Sequence, residues 1–164
     1  MVKKDILLTL AGIVLSLSGA LAFGADETSA YESLFGANIQ PIGRPLKVNM
    51  GDMKGGKLYV YDKYGLVNYQ ATYVHNGEKY NIVTENEDEA GHISLASVFN
   101  VMHEGKYCLV FLNVHSAPWS SDANYDGNVY CMSGGQPVRQ DELSGRLTGI
   151  KDAKHARAAL KPLL

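Results

Sequence analysis

Residues 57–84 read KLYVYDKYGLVNYQATYVHNGEKYNIVT, and this stretch decides the fold class. Asn76-Gly77 is a favoured pair for a two-residue type I′ hairpin turn, and Tyr- and Val-rich runs flank it. A turn there sets His75 opposite Glu78, Tyr73 opposite Tyr80, Ala71 opposite Ile82 and Tyr69 opposite Thr84. A second turn at Asp62-Lys63-Tyr64-Gly65 sets Val60 opposite Val67 and Leu58 opposite Tyr69. The two registers agree, because strand side chains alternate with period two. Leu58, Val60, Val67, Tyr69, Ala71, Tyr73, Tyr80 and Ile82 then share one face. The other face carries Asn68, Gln70, Thr72, Lys79 and Asn81, with Tyr59 and Tyr61 among them. A half-buried antiparallel sheet has this pattern.

Downstream, residues 85–89 form an acidic run suited to a solvated loop. From Ser94 to His103 the signals conflict. Leu95, Val98, Phe99 and Met102 fall at helical spacing with Ser94 as a cap and Gly105 as a stop, which favours a helix, while the β-branched residues favour a strand. Tyr107 to Val114 is nearly all apolar and suits a strand buried on both faces. A long loop from His115 to Asp126 and a short strand from Asn128 to Met132 are expected next. Leu143, Leu147, Ile150 and Leu160 suggest one or two amphipathic helices, with Pro162 ending the last.

Upstream, Asp26 to Asn49 reads as a helix and an arm: Ser29 and Glu32 fit a capping box for a helix over 30–35, and Pro41, Gly43 and Pro45 stop it. Gly51 to Leu58 approaches a phosphate-binding loop, but Leu58 stands where Ser or Thr would hold Mg²⁺ and a strand follows instead of a helix. Residues 1–25 have the form of a signal peptide. Lys3 and Lys4 precede an uncharged apolar run from Ile6 to Ala22, and Ala20-Leu21-Ala22 or Ala22-Phe23-Gly24 supplies the cleavage pattern. The expectation is a periplasmic or secreted protein with no membrane anchor after cleavage. Residues 26–164 would then form a single α+β domain: an antiparallel sheet of about five strands, helices packed on one face, and one disulfide.

Composition narrows function by exclusion. The chain of 164 residues has a net charge of −2, which leaves no electrostatic footprint for nucleic acid and no polybasic surface for anionic lipid. Cys108 and Cys131 are the only cysteines, and an even pair in an exported protein predicts a disulfide. Asp122-Ala123-Asn124-Tyr125-Asp126-Gly127 matches the start of a calcium loop, with Asp122, Asn124 and Asp126 as ligands; Ser133 stands where the bidentate Glu belongs. A plain turn explains the same residues, so calcium is at most a weak cofactor. His115, Cys131 and Met132 would suit copper, although a disulfide would consume Cys131.

No motif specifies a reaction, and catalytic residues cannot be assigned from the sequence. Trp119, the chain's only Trp, lies with Tyr125 in the segment after Pro118, and a stapled loop presenting an aromatic suits an interface. Trp119, Tyr125, His115, Tyr59 and Tyr61 are therefore the candidate binding residues, the last two as an exposed extension on the polar sheet face. The function expected is binding of another exported or envelope protein, as an inhibitor, immunity or accessory protein. The alternatives are a small secreted hydrolase using His115, Asp122 and Asp126, or a calcium- or ligand-binding module using the 122–127 loop.

Overall fold

A computed structural model describes residues 25–63, 69–84, 92–116 and 123–161. The segment 1–24, all but the last residue of the expected signal peptide, lies outside them, as do the acidic run, Val67, Asn68, Trp119 and Asp122. Helix α1 (Ala25–Phe35) is followed by strands β1 (Ile39–Pro41), β2 (Leu46–Met50), β3 (Met53–Lys63), β4 (Gln70–His75) and β5 (Glu78–Thr84). Then come β6 (His92–His103), β7 (Lys106–Ser116), β8 (Ala123–Ser133) and β9 (Gln136–Arg139), and the helices α2 (Asp141–Gly145) and α3 (Ala153–Leu160).

The strands form two antiparallel sheets where one was expected. The first runs β1-β3-β4-β5 with β2 also paired to β3; the second runs β6-β7-β8-β9. The expected arm is thus part of a sheet: β1 and β2 lie end to end along one edge of β3. The two Pro residues that interrupt this stretch fit an edge, where a missing N–H costs no ladder bond. The sheets pack through a shared core to which the first contributes Leu58, Val60, Tyr69, Ala71 and Tyr73, and the second Ile93, Leu95, Val98, Leu109 and Phe111. Gly51 and Tyr107 exchange backbone hydrogen bonds of 2.7 and 3.1 Å between the sheets.

The helices divide between the two outer faces. Tyr31 of α1 is buried with Tyr59 and Tyr61 on the outside of the first sheet, and Leu34 and Phe35 pack against them. On the outside of the second sheet, Leu143, Leu147, Ala156 and Leu160 join Phe99, Val101, Val110, Leu112, Val129 and the two cysteines. Helix α1 also begins at least five residues before the predicted Ala30, so Ser29 lies inside it and does not cap it.

The Asn76-Gly77 turn sets the register at its own end, with His75 opposite Glu78 and Tyr73 opposite Tyr80. Beyond it a bulge between Ala71 and Thr72 places Ala71 opposite Val83 and Gln70 opposite Thr84, displacing both expected pairs. Leu58 faces Tyr73 and Val60 faces Ala71, four residues from the predicted partners. An even displacement leaves the described side chains on their expected faces, so Leu58, Val60, Tyr69, Ala71, Tyr73, Tyr80 and Ile82 all meet the inter-sheet core.

Residues 94–103 are strand, and a bulge explains their helix-like spacing. The shift between Leu95 and Ser97 changes the phase of alternation. Leu95 and Val98 consequently face the inter-sheet core, while Phe99 and Val101 face the α2–α3 layer. A strand apolar on both sides with one phase slip imitates a helical period.

Candidate functional site

The β7–β8 hairpin organises one end of the sandwich. Its pairing is continuous from Cys108 opposite Cys131 to Ser116 opposite Ala123. Residues 115–116 and 123–126 of the expected long loop are therefore strand, and β8 begins five residues before the predicted strand. The disulfide is present, with its Cα atoms 4.4 Å apart. It joins facing residues of the two strands, as the sequence predicts, and lies in the buried layer shared with α2 and α3.

Towards the loop end the ladder changes from apolar to polar. His115 Nε2 donates to Asp126 Oδ2 at 2.8 Å across the two strands. Both side chains remain 36% and 42% exposed, so the pair is open to solvent. Among the described residues, the other oxygen of Asp126, Oδ1, is buried without a hydrogen-bond partner. Two rungs in from His115, Asn113 faces Asp126 and is fully enclosed; its Oδ1 accepts from the buried Tyr69 hydroxyl at 2.6 Å. Asn128 accepts from Arg139 Nε at 2.7 Å. Every second residue of β8 at this end is thus polar, on the side of the strand that faces the first sheet. A carboxylate held against an imidazole orients the ring, which is an elementary requirement for proton exchange or for anchoring a polar ligand.

Tyr125 is partly buried. Its carbonyl accepts from Gly149 N–H at 2.7 Å, and Lys151 Nζ stands 5.2 Å from its ring centroid. Asn124 is exposed opposite His115. Residues 123–127 are extended strand, neither the coil of a calcium loop nor the alternative turn, because the ladder to β7 continues through them. Among the described residues no group of three or more His, Cys, Asp or Glu is arranged to hold a metal ion. The copper set is dispersed: Cys131 is in the disulfide, and Met132 sits at the opposite end of β8 from the His115 partner Asn124.

Tyr59 and Tyr61, expected on an exposed polar face, are 5% and 6% exposed. Helix α1 covers them. Tyr31 meets Tyr59 edge-on with centroids 5.1 Å apart, and Phe35 stacks on Tyr61 at 4.6 Å. The Tyr61 hydroxyl and Thr72 Oγ1 share a buried hydrogen bond of 3.2 Å. Desolvation holds the Tyr31 and Tyr59 hydroxyls protonated above the ordinary tyrosine range.

A second concavity, which the sequence did not suggest, lies at the other end of the sandwich. Turns 51–52, 103–104 and 133–135 converge on an open cleft of about 630 Å³ with Met53, Met132 and Tyr80 among its apolar lining residues and Asp52, His103 and Lys106 among its polar ones. Asn113 was also missed, although a lone Asn inside the apolar run 109–114 is a legible sign of a buried polar contact. No family model matches this chain, and no curated protein or solved structure matches it.

Proposed function

We propose that the protein is exported and acts by binding another exported or envelope protein through the 115–126 end of the β7–β8 hairpin. The observation that carries this reading is the continuous ladder from Cys108–Cys131 to Ser116–Ala123. It delivers the ends of segment 117–122 on paired strands cross-linked at their far end. Order established before the encounter lowers the entropic cost of association, so an anchor in such a segment binds efficiently. Trp119 is the anchor proposed, with Tyr125, His115, Asn124 and Asp126 as further contacts; Tyr59 and Tyr61 drop out of the surface because α1 buries them.

Capture from an envelope fraction with the mature chain should return one stoichiometric protein partner. Trp119→Ala should weaken that complex by about 2 kcal/mol while leaving the melting temperature unchanged. Unchanged binding with a large loss of stability would overturn the reading. The His115–Asp126 pair favours a second reading, a small hydrolase that uses His115 for proton transfer. Hydrolysis of a simple ester or peptide substrate, abolished by His115→Gln, would support it.

A further inference from the structure

The two sulfurs of the disulfide sit in different surroundings. Val101 of β6 faces Cys108 of β7, Cys108 faces Cys131 of β8, and Cys131 faces Val138 of β9. Facing residues of a ladder share one side of the sheet, so these four form a single row across it. At the β6 end of the row Val101 is 5% exposed and Cys108 is 0% exposed. At the β9 end Val138 is 43% exposed and Cys131 is 8% exposed. The row therefore runs from a closed end to an open one. The cleft where turns 51–52, 103–104 and 133–135 converge repeats the asymmetry: Cys131 is among its lining residues and Cys108 is not.

A thiolate attacks a disulfide sulfur from behind the bond that breaks, so access along the extended sulfur–sulfur line decides which sulfur reacts. Here the bond runs from β7 to β8. Its extension beyond Cys131 leads toward exposed Val138, and its extension beyond Cys108 leads toward buried Val101. We propose that Cys131 is the thiol-exchange site of the folded chain, the sulfur at which a small thiol or its disulfide reacts, and that Cys108 is the resolving thiol. On reduction, a thiolate RS⁻ bonds to Cys131 Sγ, the Sγ–Sγ bond breaks, and the electron pair leaves on Cys108 Sγ, which takes a proton from water. A second RS⁻ attacks the R sulfur of this mixed disulfide, releasing Cys131 as thiolate and RSSR as product. Two thiols are oxidised and the one protein disulfide is reduced. Oxidation by RSSR runs the same steps backwards, so the intermediate is again the mixed disulfide on Cys131.

The proposal is independent of the hairpin-end binding reading. Its test is reduction of the oxidised mature chain by glutathione, an anionic thiol, at about pH 8, read by mass after acid quenching and alkylation. Val138→Lys and Val138→Glu set opposite charges at the open end of the row. The Lys variant should be reduced about fivefold or more faster than the Glu variant. Met102 is as exposed as Val138, at 43%, but adjoins Val101 in sequence and so lies on the other side of the sheet. The same two substitutions there should differ by less than about twofold. Single-cysteine variants give a second readout. In chains shown by circular dichroism to be folded, Cys108→Ala should take up glutathione from its disulfide about tenfold or more faster than Cys131→Ala. The charge pair replaces no cysteine, so it decides the matter even where a single-cysteine variant fails to fold. Equal reduction rates for the two charges at 138, or faster uptake at Cys108 in a folded chain, overturns the proposal.

Discussion

The two outer faces of the sandwich are covered in the same way but with different chemistry. Outside the first sheet, α1 packs Tyr31, Leu34 and Phe35 on Tyr59 and Tyr61, an aromatic layer whose hydroxyls reach Gly43 O and Thr72 Oγ1. Outside the second, α2, α3 and the turn between them pack Leu143, Leu147, Ala156 and Leu160 on valines, Phe99 and the disulfide. The aliphatic layer depends on volume and on a covalent link. The aromatic layer depends also on protonation, because the Tyr31 and Tyr59 hydroxyls stay buried only while neutral.

The contrast is broken most directly at Leu147. It is fully buried against Gly127, where an added Cβ would stand 2.7 Å from Leu147 Cδ1. With so little room to collapse, Leu147→Ala should cost about 4 kcal/mol in denaturant unfolding. A cost below about 1 kcal/mol would show that the tail is an appendage on the sheet and not part of its core. The double replacement Cys108→Ala/Cys131→Ala should cost about 3 kcal/mol, as expected for opening a link with a sequence separation of 23. On the aromatic side, Tyr31→Phe keeps the ring and removes one bond to Gly43 O of 3.1 Å, so about 1 kcal/mol is expected.

Alkali sharpens the comparison further. Desolvation raises the hydroxyl pKa of Tyr31, Tyr59 and Tyr73 above the ordinary value of 10.0. The native chain therefore holds these protons more tightly than the unfolded chain. Their contribution is complete below pH 10 and is lost as pH rises from about 10 toward the native values. Circular dichroism followed with tyrosinate absorbance should show ionisation and unfolding together. Free titration of all ten tyrosines near pH 10 in a folded chain would contradict the packing of α1.

The faces of the first sheet were legible because alternation survives an even register error: Leu58 took Tyr73 for Tyr69 as its partner and still faced the core. The second sheet was legible in part: the strands expected over 107–114 and 128–132 are present, whereas 94–103 reads as a helix because β6 is apolar on both sides and alternation then carries little signal. The burial of Tyr59 and Tyr61 was hidden for a related reason. Tyrosine beside Asn, Gln and Thr suits an open polar face as well as one roofed by a helix, and the covering residues lie more than twenty positions upstream. Of the candidate site, His115 and Asp126 came together as paired chemistry suggests, whereas the loop expected to hold them was strand.

Cys108 and Cys131 occupy one rung of an antiparallel ladder, and the chain has no third thiol. Pairing of the hairpin alone therefore aligns the two sulfurs, and oxidation can yield only the native bond within a single molecule. Maturation of this protein needs an oxidant but no disulfide shuffling. Its yield in an oxidising host should depend on the supply of electron acceptor and be indifferent to loss of disulfide isomerase.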